Sequence, residues 1–332
     1  MRVGIVGAGY IAAAHASAYA HTDGVDVVAV ADHVPEKAER LARRVGATPA
    51  ADLNDVLRAG PDLVSICTPT PSHHDLVLHA LDAGVHVLCE KPVARTLAEG
   101  EAIVAAAEAA TGTVMVGHVS RFEPDHRRAQ QLVARGRIGP LRMMSQSITC
   151  TMPDWSEGGW LADPAQSGGP ILDLAVHSLD FLAWVNQSQP VRVRAVARDT
   201  DRGPATYALI TLRYDNGALG LVETSWAHPE AHGFQLSTEL VGADGRIAWG
   251  YDGLVGGVLH AADGTTTRWD PLGDRGFRSE VAAMVGAVRT GGPAPVSAAE
   301  GLAALRTALA AIESVRTGRT IDLAPWTAQA GS

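Results

Sequence analysis

Short apolar runs rich in β-branched residues recur through the first 118 residues: VGIVG at 3–7, VDVVAVAD at 25–32, DLVSICTP at 62–69, VHVLCE at 85–90 and TVMVGH at 113–118. Alanine-rich, helix-favouring segments lie between them, near 10–21, 36–45, 73–83 and 97–110. Continuous apolar strands that alternate with amphipathic helices predict βαβ units and a parallel sheet covered on both faces. Gly46, Gly60, Gly84 and Gly112 each follow a predicted helix, where a left-handed C-terminal residue is wanted.

The texture then changes. A helix at about 124–135 leads to a strand near 140–151, a loop rich in Gly, Pro and Trp at 152–170, and a helix at 171–186. Five strands follow, RVRAVAR, ATYALITLRY, ALGLVETSWA, FQLSTELVG and RIAWGY, with hairpin signals at Asn216-Gly217 and Asp244-Gly245. Two helices, near 277–289 and 297–317, close the pattern. The reading is an α/β domain over residues 1–120, then an α+β domain over 121–332 with a large, mainly antiparallel open sheet. The C-terminal helices are free to pack back towards the first domain.

Composition narrows the classes. The chain has 332 residues, 46% hydrophobic and 19% charged, enough for two packed domains. A net charge of −9 argues against a nucleic-acid partner, whose footprint is a basic patch. No apolar run approaches the ~20 residues that span a bilayer, so no membrane partner is expected. The opening MRVGIVGAGY enters a strand without a basic-then-apolar leader. Three cysteines, Cys67, Cys89 and Cys150, with no CxxC, argue against a disulfide framework or zinc site and fit a reducing cytoplasm.

Chemistry enters at the strand ends. Gly7-Ala8-Gly9-Tyr10-Ile11-Ala12 is a G-x-G-x-x-A stretch between a predicted strand and a predicted helix, and Asp32 ends the next strand. That context makes it a dinucleotide fingerprint of a Rossmann domain. Gly7 permits the tight turn, Gly9 lets the backbone approach a pyrophosphate, and the helix N-terminus receives its charge. Asp32 is placed to accept hydrogen bonds from ribose hydroxyls and to repel a 2′-phosphate. NAD is therefore favoured over NADP, although Lys37 and Arg40 lie nearby. Thr68 and Pro69 follow the fourth strand, where they line a cofactor crevice or start a helix capped by Thr70 or Ser72. His74 and His79 read as helix-surface residues. Glu90-Lys91-Pro92 ends the fifth strand, so the Lys91 ammonium emerges at the same crevice, where it can bind a substrate hydroxyl and lower its pKa. Asp173 and His177, four apart in a largely apolar helix, share one face and suit proton transfer. The alternatives are a satisfied core histidine, or a His177 partnered by Asp180. No metal is expected, because the histidines lack ligand spacing.

Taken together, GAGYIA, TPTPSH, CEKP, RFEP at 121–124, LDLAVHSLD and the closing EGLAALRTALAAIESVRTGR resemble the Gfo/Idh/MocA family over essentially the whole chain. The resemblance implies a catalytic set of Lys91, Asp173 and His177. In it His177 is the base, Lys91 the electrostatic and relay partner, and Asp173 the residue that orients substrate. It implies cofactor contacts from Gly7, Gly9, Tyr10, Ile11, Asp32, Thr68, Pro69, His73, Glu90 and Lys91. It implies substrate contacts from Lys91, Arg121, Trp160, Asp173 and His177. A cis Lys91–Pro92 bond and a homo-dimer or homo-tetramer are further expectations from relatives. Three positions depart from the family pattern: Thr70 stands for its Asn, Pro170 for its third glycine, and Leu161 for the Arg after Trp160. Trp155 and Trp160 either stack on a sugar or cyclitol ring or cover the core. The implied activity is NAD-dependent oxidation of a secondary hydroxyl of a sugar, cyclitol or related polyol, or the reverse reduction. The alternatives are an NAD-retaining glycoside hydrolase and a non-catalytic NAD(H)-binding protein.

Overall fold

A computed structural model describes residues 1–153, 157–200, 203–250, 257–261, 263–269 and 276–324. The chain divides into two compact units, Met1–Glu123 with Asp274–Leu302, and Pro124–Gly273 with Ala303–Ser332.

In the first unit the order is β1 (Arg2–Val6), α1 (Tyr10–Ala20), β2 (Asp26–Ala31), α2 (Pro35–Val45), β3 (Thr48–Ala50), α3 (Leu53–Arg58), β4 (Leu63–Ile66), α4 (His73–Asp82), β5 (His86–Glu90), α5 (Leu97–Ala109) and β6 (Val114–Gly117). The six strands pair in the order β3-β2-β1-β4-β5-β6, all parallel. The order reverses between β1 and β4, which opens a crevice beyond their C-terminal ends. Ile5, Leu63, Val64, Ile66, Val87, Leu88 and Val116 are fully buried, as strands covered on both faces must be. The sequence pattern gave no bounds for β3 and α3, which are too short to show a period. Gly46, Gly60 and Gly84 have positive φ, but Gly112 does not. Its expected left-handed role is corrected: a Cβ there would sit 2.6 Å from the Val85 carbonyl oxygen, so close packing demands the glycine.

The second unit holds α6 (Pro124–Ala134), β7 (Leu141–Thr149), α7 (Pro164–Ser167), α8 (Gly169–Asp173), α9 (Ala175–Asn186), β8 (Pro190–Thr200), β9 (Gly203–Tyr214), β10 (Leu219–Ser225), β11 (Gln235–Gly242), β12 (Gly245–Gly250), β13 (Gly257–Ala261) and β14 (Thr266–Trp269). The chain then returns to the first unit with α10 (Phe277–Thr290), which packs on α1, and continues through α11 (Ala298–Thr317) to β15 (Ile321–Asp322) of the second. The nine strands run β14-β13-β12-β11-β7-β10-β9-β8-β15, and both expected hairpins form, β9–β10 at Asn216-Gly217 and β11–β12 at Asp244-Gly245. One pair departs from the antiparallel rule: β7 lies parallel to β10, with Leu219 opposite Met143. The stretch read as a loop at 152–170 contains a 3-10 turn (Glu157–Ala162) and α7.

Helix α9 lies on β7 and β10, with α6 beside it. Phe181 of α9 meets the His126 ring edge-on at 4.4 Å and the Trp249 ring at 5.8 Å, which fixes the helix on the sheet. On the opposite face of the sheet Met143, Val196, Leu209, Leu219 and Leu221 are exposed. No helix among the described residues is long and apolar enough to cross a membrane.

Candidate active site

In the first unit the glycine turn joins β1 to α1. Gly7 has φ +94°, and a Cβ there would lie 2.6 Å from the Cys67 carbonyl oxygen beyond β4. Only glycine fits both demands. Gly9 caps α1 without a side-chain hydrogen bond, and the first turn carries no acidic residue. A Cβ at Gly9 would have no heavy atom within 4 Å. An uncapped helix N-terminus beside open space is what a pyrophosphate requires. Tyr10 is 60% exposed beside it, and Ile11 is half-buried. Asp32 accepts hydrogen bonds from the Ala8 amide at 2.7 Å and the Val34 amide at 2.9 Å, which sets its carboxylate next to the turn. These residues fit a dinucleotide.

The next strand ends complete the crevice. Thr68 is half-buried and Pro69 exposed; the Thr68 hydroxyl accepts from Ser72 at 2.7 Å. His73 is 1% exposed and turned inward, its ring nitrogens 2.9 Å from the Thr68 carbonyl and 2.8 Å from the Pro92 carbonyl. Burial lowers its pKa, against the two carbonyl contacts that raise it, and the ring stands between two strand-end corners. Lys91 is half-buried, and its bond to Pro92 is cis. Glu90 is buried: one carboxylate oxygen accepts from His15 at 2.9 Å and the other from the Lys91 amide at 3.2 Å. Arg121 is also buried and donates to Glu300 at 2.6 Å.

In the second unit Leu174 interrupts the expected single helix and divides it into α8 and α9. Asp173 ends α8 and His177 lies in the first turn of α9. Between Gly169 and Leu182 every residue is buried except these two. One sealed helical segment therefore opens at Asp173 and His177. Cys150, beyond β7, has its thiol pushed up to about 11, by burial first and by the Asp173 charge second, so Asp173 faces that strand end. Asp180 is buried, and its charge reaches Tyr214. Trp160 is half-buried in its 3-10 turn, and Trp155 lies outside the described residues.

Two features escaped sequence reasoning. His15 and Glu280 are fully buried and approach Glu90, with His15 Nε2 3.7 Å from Glu280 Oε2. Their spacing of 265 residues leaves no local signal. The second is economy of lysine: the chain holds only Lys37 and Lys91 among 27 basic residues.

Known proteins share this architecture. Residues 1–118 match the family described as "Oxidoreductase family, NAD-binding Rossmann fold", and residues 126–248 match the GFO/IDH/MocA C-terminal domain. The chain is 32% identical to D-xylose 1-dehydrogenase (NADP(+)) 2 of Haloferax volcanii over 308 residues, 90% of this chain and 92% of that one. It is 29% identical to inositol 2-dehydrogenase of Rhizobium meliloti, over 98% of this chain and 99% of the relative. The crystal structure of an oxidoreductase domain protein from Kribbella flavida superposes with a TM-score of 0.89 at 25% identity, covering 97% and 98% of the two chains. With its glycine turn, its two-unit architecture and these relatives, the chain belongs to the Gfo/Idh/MocA oxidoreductase family.

Proposed function

We propose that this oxidoreductase moves a hydride between NAD and a secondary hydroxyl or keto carbon of a sugar, cyclitol or related polyol. The observation that carries the reading is the sealed helical segment that opens only at Asp173 and His177. The names of the xylose and inositol dehydrogenases supply the substrate class. They favour net redox over the redox-neutral hydrolysis of a glycoside.

In this reading bound NAD accepts or returns the hydride. His177 takes the hydroxyl proton, Asp173 orients the substrate, and the Lys91 ammonium hydrogen-bonds the reacting oxygen and stabilises its developing charge. Gly7, Gly9, Tyr10 and Ile11 hold the cofactor phosphates, and Thr68 and Pro69 line its nicotinamide end. Arg121 and Trp160 border the substrate, Arg121 through its pairing with Glu300. NAD is preferred to NADP because the Asp32 carboxylate repels a 2′-phosphate. The xylose dehydrogenase named for NADP(+) makes this a point to test.

The bare face of the nine-stranded sheet, with Met143, Leu209, Leu219 and Leu221, is the surface through which we expect a homo-dimer or homo-tetramer. Light scattering during gel filtration tests it. Three free cysteines support a cytoplasmic setting.

The decisive experiment follows absorbance of reduced nicotinamide with purified protein, NAD or NADP, and a panel of inositols, aldoses and sugar acids. Reduction of NAD by a ring polyol is the expected result. Silence with every polyol, and with the corresponding keto sugars and NADH, would overturn the reading.

A further inference from the structure

The first unit buries an acid–base cluster that the proposed chemistry does not use. His15 comes from α1, Glu90 from β5 and Glu280 from α10, and their ligand atoms all lie within 4.8 Å of one another. Each side chain is sealed. His15 and Glu280 are 0% exposed and Glu90 7%. Neither Glu280 oxygen has a hydrogen-bond partner among the described residues. Around the cluster stand Ser65 at 3.3 Å and Cys67 at 3.6 Å from His15 Nδ1, the Phe277 ring, Tyr19, Cys89, His73 and Lys91.

Charge decides the protonation. Two ionised carboxylates in a sealed space cost several kcal/mol unless cations and hydrogen bonds satisfy them. Glu90 has both: His15 Nε2 donates to one oxygen and the Lys91 amide to the other. Burial alone would raise its carboxyl, yet the His15 hydrogen bond and charge, then Lys91, hold it below the usual range. Glu280 has no hydrogen bond and only the more distant approach of His15 at 3.7 Å, and burial first and the Glu90 charge second push it well above the usual range. Burial alone would lower His15, but its contacts raise it far above ordinary imidazole. The Cys67 thiol is itself pushed up by burial, so near neutral pH it is the Glu90 carboxylate that keeps His15 charged. Imidazolium, carboxylate and neutral acid then sum to zero.

The same carboxylate that neutralises His15 also grips the backbone of Lys91. Gly117 on β6 leaves room for it, because a Cβ there would lie 2.9 Å from Glu90 Oε1. We propose that His15, Glu90 and Glu280 form a charge-neutral positioning cluster that fixes the end of β5 and so aims the Lys91 ammonium, with Glu280 held as a neutral carboxylic acid. The three are positioning residues, and their effect on turnover rests on the role proposed for Lys91.

The test compares Glu90→Gln, Glu280→Gln and Lys91→Ala in the full chain. Glu90→Gln removes the buried charge, whereas Glu280→Gln replaces a neutral group by a neutral isostere. With the polyol that reduces NAD best, Glu90→Gln is expected to lower kcat about tenfold or more beyond Glu280→Gln, with little change in NADH affinity. Lysine labelling gives a readout independent of turnover, since the chain has only two lysines. The Lys91 side-chain resonance, assigned by Lys37→Arg, should move in Glu90→Gln while that of Lys37 stays. An infrared carbonyl band of a protonated carboxylic acid should vanish in Glu280→Gln. Equal kcat losses in the two Gln variants, an unmoved Lys91 resonance, absence of the infrared band, or a metal ion stoichiometric with the chain would each overturn the proposal. If Lys91→Ala keeps full turnover, the role of Lys91 fails instead, and the resonance and the infrared band still judge the cluster. Should Glu90→Gln fail to fold, the infrared comparison of wild type with Glu280→Gln decides.

Discussion

The Ala8 amide donates to Asp32 Oδ2 across 2.7 Å, so the glycine turn and the end of the second strand are one unit. In the proposed function, the turn that would receive the phosphates thus also fixes the carboxylate that would read the ribose. Asp32→Ala should lower kcat/KM for NAD by roughly 10- to 100-fold, the weight of hydrogen bonds to a charged group, and lower it much less for NADP. Unchanged discrimination between the two cofactors would show that Asp32 does not face the ribose.

Gly7→Ala strains a positive φ and drives a Cβ against the Cys67 carbonyl oxygen. About 1–3 kcal/mol of stability should be lost, read from the urea midpoint, and NADH binding should weaken because the turn opens. A variant with wild-type stability would mean that the β1 and β4 ends have room to separate.

Lys91→Ala should cut kcat by about 10²–10⁴-fold, the range of a lost proton-transfer or electrostatic group, while NADH titration by fluorescence gives a near-normal affinity. Near-normal turnover would remove Lys91 from the catalytic set.

His177→Gln should lower kcat by a comparable factor of about 10²–10⁴, and Asp173→Asn should raise KM for the polyol as well. Both positions are half-open beside the α8–α9 junction, whose other residues stay buried, so melting temperatures should hold. A collapse of the melting temperature with turnover per folded molecule preserved would make these residues structural.

The buried acid predicts a pH dependence of stability with a definite sign. Glu280 is protonated in the fold, above its ordinary 4.5, and ionised when unfolded. Its contribution is full below that value and is lost as pH rises. His15 is raised as well, so it likewise loses its contribution as pH rises above its ordinary 6.5. Glu90 is lowered, so its contribution is lost as pH falls below 4.5. Glu280→Gln should therefore melt progressively higher relative to wild type as pH rises from about 5 to about 9. Parallel melting curves would show that Glu280 ionises as easily in the fold as outside it.

Much of this was legible in the chain because it is local. Apolar runs with a period give strands and helices. Gly7, Gly9 and Asp32 sit at fixed short spacings, and Asp173 and His177 are one helical turn apart. Asn216-Gly217 and Asp244-Gly245 carry their hairpins in their own dihedral preferences. The elements without a legible boundary were short or irregular: β3, α3, the turns within 152–170 and the interruption at Leu174. None is long enough to impose a period. Gly112 was misread because close approach of a distant carbonyl and a left-handed cap both select glycine.

The sequence by itself determined the parallel sheet with its dinucleotide turn, the residue types at each strand end, and the class of chemistry they serve. Tertiary structure alone decided the rest. It laid β7 parallel to β10 within an otherwise antiparallel series, turned His73 inward and paired Arg121 with Glu300. It also closed His15, Glu90 and Glu280 into one sealed cluster from three distant elements. The physical reason is that a protonation state depends on the neighbours that folding removes from water or brings within hydrogen-bonding reach. No spacing along the chain encodes those neighbours.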